Sequence, residues 1–253
     1  MGQISDNFLK TALELTGSFE GCGFTEVTPN FDGQGISCGV LQWCLGQGSL
    51  QRKILQPYIV RHGSIDALDI FPEQIDILAS ETPKNAIRFS MQMQREVNGN
   101  WYMKSDWLSG WKMFLNLPEV IDLQVEAANE IGLRVESIYK SFKFTTVNAY
   151  CVIFDCLVQN GSLPGITNEK LGAFKFQLLK DLVSTSTNSD TKKNKKIWDN
   201  LTVDGELLKL AGIAYYISLR SKKEYQFDVL NRKATLALGV GYVHGDLFKD
   251  FYT

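Results

Sequence analysis

The sequence predicts a mainly α protein with one small antiparallel β-sheet, its 253 residues forming two helical lobes that flank a cleft and are joined by a long helix. Three observations predict it. From Gly48 onward apolar residues recur at helical spacing almost without interruption. Between Phe24 and Trp43 the chain instead carries β-branched and aromatic residues around the turn signals Pro29-Asn30 and Asp32-Gly33. Over 118–142, Val125, Ala128, Ile131, Val135, Ile138 and Phe142 make one apolar stripe, on a helix long enough to bridge two lobes. With 44% hydrophobic residues, the chain can bury a core as a single domain over 1–253.

Taken in order, the chain begins with a helix in which Phe8, Ala12, Leu15 and Phe19 share a face, and Gly21 and Gly23 stop it. Phe24 to Thr28 and Ile36 to Trp43 then pair as an antiparallel ribbon with Asp32-Gly33 at its turn. Helices follow near 48–60, 73–80, 84–97, 101–114, 118–142 and 146–159, with an amphipathic one from Glu169 to Leu182. Ser184 to Lys196 is polar, lysine-rich and poor in anything to pack, which reads as a mobile surface loop over 184–196. Helices near 204–220 and 226–238 close the chain ahead of an irregular glycine-containing segment.

Composition narrows the function classes. The 26 Lys+Arg nearly balance 28 Asp+Glu, so no whole-molecule field favours nucleic acid or a membrane surface. Two histidines, His62 and His244, and no Cys/His set at zinc-ligand spacing give an expectation of no metal and no cofactor. Five cysteines without a secreted-domain spacing read as buried thiols. No basic, then apolar leader opens the sequence and no apolar run approaches membrane-spanning length. The expectation is synthesis in the cytoplasm, no membrane insertion, and action on the bacterial cell wall after phage-type release or secretion-system delivery.

Chemistry concentrates where Glu20 precedes the glycine-rich stretch Asn30 to Leu50. Gly33, Gly35, Gly39, Gly46 and Gly48 allow tight turns there, while Ile36, Val40, Leu41 and Trp43 give the segment something to bury. Glu20 sits at a helix C-terminus, where unpaired carbonyls oppose ionisation and suit a general acid. Asp32 in the turn is a second carboxylate from a different element, and two such groups across a cleft can hydrolyse an acetal. Taken alone, the pair is also what a solvated helix-end carboxylate and an Asp-Gly turn former look like. Asp155, Gln159 and Asn160 share a helix face inside an apolar run, either as a buried hydrogen-bond network or as a cleft floor. Gln34, Gln42 and Trp43 flank the acid turn, with Trp43 able to stack on a sugar ring or pack in the core. Arg232 and His244 can offer donors to acetamido or lactyl groups, though surface charge and loop geometry explain them as well. Trp101, Trp107 and Trp111, at i, i+6 and i+10 and partly on one helix face, read as core rather than as a sugar platform.

Glu20 with Asp32-Gly-Gln-Gly-Ile-Ser-Cys-Gly and Cys44-Leu-Gly-Gln-Gly48 resembles the catalytic region of family 46 chitosanases, where a helix-end Glu precedes Asp-Gly-x-Gly-x-Thr-x-Gly and Cys-x-Gly-x-Gly. Phe154-Asp-Cys-Leu-Val-Gln-Asn-Gly161 is similar to that family's aromatic-Asp-x-x-x-Gln-His-Gly. The resemblance implies a lysozyme-like fold and an inverting mechanism with Glu20 as acid, Asp32 as base and Ser37, in place of Thr, holding the water. The Glu-to-Asp spacing is shorter than in chitosanases and closer to phage lysozymes, and Asn160 stands where the family has His. Phe31-Asp-Gly-Gln-Gly-Ile-Ser-Cys-Gly-Val-Leu-Gln-Trp43 also resembles bacterial and phage wall-active proteins. The implied substrate is therefore peptidoglycan or a related β-1,4 amino-sugar glycan, with a muramidase as the first reading and a chitosanase or a non-hydrolytic glycan-binding module as alternatives. An immunity or inhibitor protein and a delivery apparatus are the implied partners.

Overall fold

The structure, a computed structural model, describes residues 2–19, 23–30 and 32–250 and places side chains from residue 7. It is mainly helical with small antiparallel sheets, as the sequence predicts. The chain divides into two compact units, Thr16–Glu130 and Met1–Leu15 with Ile131–Thr253. Glu20, Gly21 and Cys22 lie outside the described residues.

Helix α1 (Gly2–Phe19) buries Leu9, Ala12, Leu13, Leu15 and Phe19. In the unit Thr16–Glu130, strands β1 (Val27–Thr28), β2 (Ser37–Cys38) and β3 (Trp43–Cys44) form the expected ribbon, with Thr28 opposite Ser37 and Cys38 opposite Trp43. A π-helical turn, Gln51–Leu55, runs into α2 (Gln56–His62). Helices α3 (Ile77–Ser80) and α4 (Pro83–Ser90) follow, the latter capped by the Thr82 hydroxyl, which accepts from the Asn85 amide. Strands β4 (Gln94–Val97) and β5 (Asn100–Met103) make a hairpin, then come α5 (Ser105–Leu115) and α6 (Pro118–Phe142). The core of this unit packs Ile36, Cys38 and Leu45 of the ribbon with Leu50, Ile54, Trp111 and Phe114.

The other unit holds α7 (Val147–Asn160), α8 (Asn168–Ala173), α9 (Phe176–Ser184), α10 (Ser189–Trp198), α11 (Gly205–Ser218) and α12 (Gln226–Leu238). A hairpin of β6 (Val240–Val243) and β7 (Asp246–Lys249) follows. Glu206 at the head of α11 accepts the amides and hydroxyls of Thr145 and Thr146, tying down the entry to α7. Leu179, Trp198, Ala211, Ala214, Leu230 and Ala234 form part of the core.

Four expectations are corrected. Residues 94–103 are a hairpin, so the helices expected over 84–97 and 101–114 are cut short at Ser90 and begin only at Ser105. The cause is Asn98-Gly99, both at positive φ (54° and 80°), a two-residue turn of the kind that closes hairpins. The stretch 184–196 is no loop: Ser189–Trp198 is helical. Its buried face is Thr191, Asn194 and Trp198, at i, i+3 and i+7, so it carries helical period in polar side chains that hydropathy does not register. The helix expected from Glu169 to Leu182 is broken at Phe174 and Lys175, both extended in backbone, and the irregular segment after 238 is the hairpin β6–β7.

Candidate active site

Asp32 lies in the connection between β1 and β2, exposed, its Oδ1 accepting the Gln34 amide at 3.1 Å. This Asx turn shapes the loop locally. One long-range bond, flanked by two local ones, fixes it in place. The Asn30 amide donates to Gln94 Oε1 at 2.7 Å, Asn30 Oδ1 accepts the Gly35 amide at 3.0 Å, and Gln94 Nε2 donates to the Ser90 carbonyl at 3.1 Å. Farther along, the fully buried Gln124 of α6 accepts from the Val40 amide and donates to the Phe24 carbonyl, both at 3.0 Å. A Cβ on Gly39 would stand 2.1 Å from Gln124 Oε1, so only glycine admits that clamp. Asp32 is thus an open carboxylate on a loop whose roots are fastened.

The other expected residues of this region separate by environment. Ser37 is half-buried in β2 between the fully buried Ile36 and Cys38. Gln34 covers Gly46 with its side chain and accepts the Gly46 amide on its carbonyl at 2.9 Å. Gln42, at φ 52°, turns its Nε2 onto the Gly39 carbonyl at 3.1 Å, closing the β2–β3 turn. Trp43 packs against the core, and its indole Nε1 is buried without a hydrogen-bond partner.

Beside the acid turn is a cavity of about 450 Å3 lined by Asn30, Gly33, Gly99, Asn100, Trp101 and Tyr102. Gly33 follows Asp32 directly. Trp101 therefore stands on a hairpin at the candidate site, whereas Trp107 and Trp111 are buried in the core on α5. Sequence reasoning missed Asn30, Asn100, Trp101 and Tyr102 as lining residues. The signal that would have found them is Asn98-Gly99.

In the second unit the structure gathers Asp155, Gln159 and Arg232 and adds Lys233. Asp155, fully buried on α7, accepts from Arg232 Nε at 2.9 Å and Nη2 at 2.6 Å on Oδ1, and from Lys233 Nζ on Oδ2. Lys233 also reaches Gln159 Oε1 at 2.7 Å. Burial by itself raises the Asp155 pKa, but the charges and hydrogen bonds of Lys233 and Arg232 outweigh it and hold the carboxyl below its ordinary value. This is the hydrogen-bond network of the two readings the sequence allowed. Asn160 is exposed at the end of α7 and outside these bonds. His244, at the tip of β6–β7, instead meets Asp228 Oδ1 at 2.9 Å, both about half exposed.

No family model and no curated protein sequence matches the chain. Among solved structures, a mutant chitosanase from Bacillus subtilis MY002 complexed with 6 GlcN is similar at 12% identity and a TM-score of 0.50, covering 98% of this chain and all of that one. The likeness is one of fold. The native chitosanase from the same source is 15% identical over 93% of this chain and 88% of its own, with a TM-score of 0.47.

Proposed function

We propose that this protein is a glycoside hydrolase that cuts β-1,4 bonds of peptidoglycan between N-acetylmuramic acid and N-acetylglucosamine with inversion. Glu20, which follows the last residue of α1 in the chain, gives its proton to the glycosidic oxygen as the bond to the anomeric carbon breaks. Asp32 takes a proton from the water that attacks that carbon from the opposite face, and Ser37 holds this water. Inversion requires the two carboxyls to stand about 6.5–9.5 Å apart, leaving room for the water.

The observation that carries the reading is the setting of Asp32, an exposed carboxylate on a fastened turn beside a cavity walled by an indole and a phenol. A fold shared with a chitosanase supports it. Chitosan is the second reading, favoured by the 6 GlcN bound in that neighbour. Against it, a polycationic substrate calls for a strongly acidic binding surface, and the chain's formal charge is only -2. An enzyme that attacks the wall of its own producer calls for a cognate inhibitor that covers the site.

Digestion of purified sacculi by wild type and by Glu20→Gln tests this, with the new reducing sugar identified by mass spectrometry. Wild type releases fragments ending in N-acetylmuramic acid, and Glu20→Gln, folded by circular dichroism, releases none. Reducing ends from soluble chitosan with none from sacculi make it a chitosanase.

A further inference from the structure

We infer that the cavity between the Asp32 turn and the β4–β5 hairpin is a saccharide subsite for one N-acetylated amino-sugar ring, with Trp101 as its stacking platform. The inference rests on the reading of the site as glycan-directed and adds which sugar it accepts and through which residue.

At about 450 Å3 the cavity falls within the range of small-ligand clefts, roughly 300–1,000 Å3. Its two walls come from separate segments and are held together by a bond, since the Asn30 amide on one wall donates to Gln94, the first residue of the hairpin on the other. Hairpin register is set by Gln94 opposite Met103 and Val97 opposite Asn100, and the two-residue turn fixes where Trp101 emerges. The site is therefore formed before any ligand arrives, which spares the ordering cost of binding.

Lining chemistry selects the ligand. The six described lining residues include no charged side chain. Directly across the hairpin, Trp101 faces Glu96 and Tyr102 faces Arg95, so the nearest strand charges are of opposite sign. A glucosamine ammonium finds no charged partner among these lining residues and loses hydration, whereas an acetamido group is neutral and pairs with amides; Asp32, at the edge of the cavity, is neutralised in the variant used for the test below. Asn30 Oδ1 is taken by the Gly35 amide, so its NH2 is the end that donates to an acetamido carbonyl, and Asn100 adds a second side-chain amide. An indole face covers the apolar C–H side of a pyranose, with Tyr102 offering a hydroxyl at the rim.

The test titrates the tetrasaccharides of N-acetylglucosamine and of glucosamine, by calorimetry, into Asp32→Asn and into the same variant carrying Trp101→Ala or Trp101→Phe. The inference expects the acetylated ligand to bind at least tenfold tighter than the amine. Trp101→Ala should weaken the acetylated ligand roughly tenfold, and Trp101→Phe, which keeps an aromatic face, should restore most of that. Equal binding with and without Trp101, tighter binding of the amine, or binding of neither ligand overturns it. The two readings part cleanly. Wild type that digests no glycan while Trp101 governs binding refutes the hydrolase and keeps the subsite; wild type that digests sacculi with binding and KM unchanged by Trp101→Ala does the reverse.

Discussion

Gln124 shows how much of the candidate site hangs on one side chain outside it. It serves Val40 and Phe24 at once, 84 and 100 residues away in sequence. Replacing it with Leu leaves a buried donor and a buried acceptor unpaired, and each orphaned group costs about 1–3 kcal/mol. Chemical denaturation of Gln124→Leu is expected to show a loss of roughly 2–4 kcal/mol. The sequence singles out Asp32 and Ser37 as candidates because the motif that marks them is local. It does not single out Gln94 and Gln124, because their role exists only once distant segments meet. The thiols give a second residue-scale expectation. Cys38, Cys44, Cys151 and Cys156 are buried, with burial pushing the Cys156 thiol up to about 11 and Cys38 higher still, the Glu26 charge adding to the latter. Burial shields these four from reagent, so they should resist alkylation in the native protein and react in denaturant, with the raised Cys38 and Cys156 thiols slowest because the thiolate is the reactive form. A native-state count above one fast thiol contradicts the packing.

At the scale of elements, the β4–β5 hairpin decides what faces the acid turn. Helical periodicity over 84–97 and 101–114 swallowed it, although Asn98-Gly99 was in plain view between the two segments. Gly99 sits at φ 80° with open space where a Cβ would point, so Gly99→Ala is strained by backbone alone. The expected loss is about 1–2 kcal/mol. Because Trp101 is two residues on, weaker oligosaccharide binding should accompany that loss. Helix α10 was missed for a different reason. Asn194 donates to Asn231 Oδ1 at 3.0 Å and to the Tyr242 carbonyl at 2.9 Å, and Trp198 Nε1 donates to the Val240 carbonyl at 2.8 Å. Its inward face is satisfied by hydrogen bonds more than by apolar area, and a hydropathy pattern is blind to that. By contrast α6 was legible, the expected 118–142 matching the observed Pro118–Phe142, with the apolar stripe running from Val125 to its end.

For the whole molecule, the buried Asp155 set carries a large stake in one place. Removing its charge takes a hydrogen-bonded carboxylate away from two buried cations, so Asp155→Asn should destabilise the protein by about 3–5 kcal/mol. The native carboxyl is held below its ordinary value, so its contribution is complete above the unfolded pKa of about 3.9 and is lost as pH falls toward the lower native value. Denaturation midpoints of wild type should hold from neutral pH to about 4 and then drop, while the gap to Asp155→Asn narrows in acid. The sequence marked Asp155, Gln159 and Asn160 as polar residues on one face of an apolar helix, leaving open whether they build the interior or line the site, and it read Arg232 as a substrate donor or a surface charge, whereas Arg232 is buried. Burial of the carboxylate and both cations is what decides for the interior.

The proposed role of Asp32 as the base of a wall-cutting glycosidase is tested by the rate of reducing-end release from purified sacculi by Asp32→Asn against wild type. Asn keeps an oxygen for the Gln34 amide, so the turn stands and only the proton acceptor is lost. The account predicts a drop of about a hundredfold or more, with products ending in N-acetylmuramic acid in wild type. Release by Asp32→Asn at the wild-type rate, or no release by wild type at all, contradicts it.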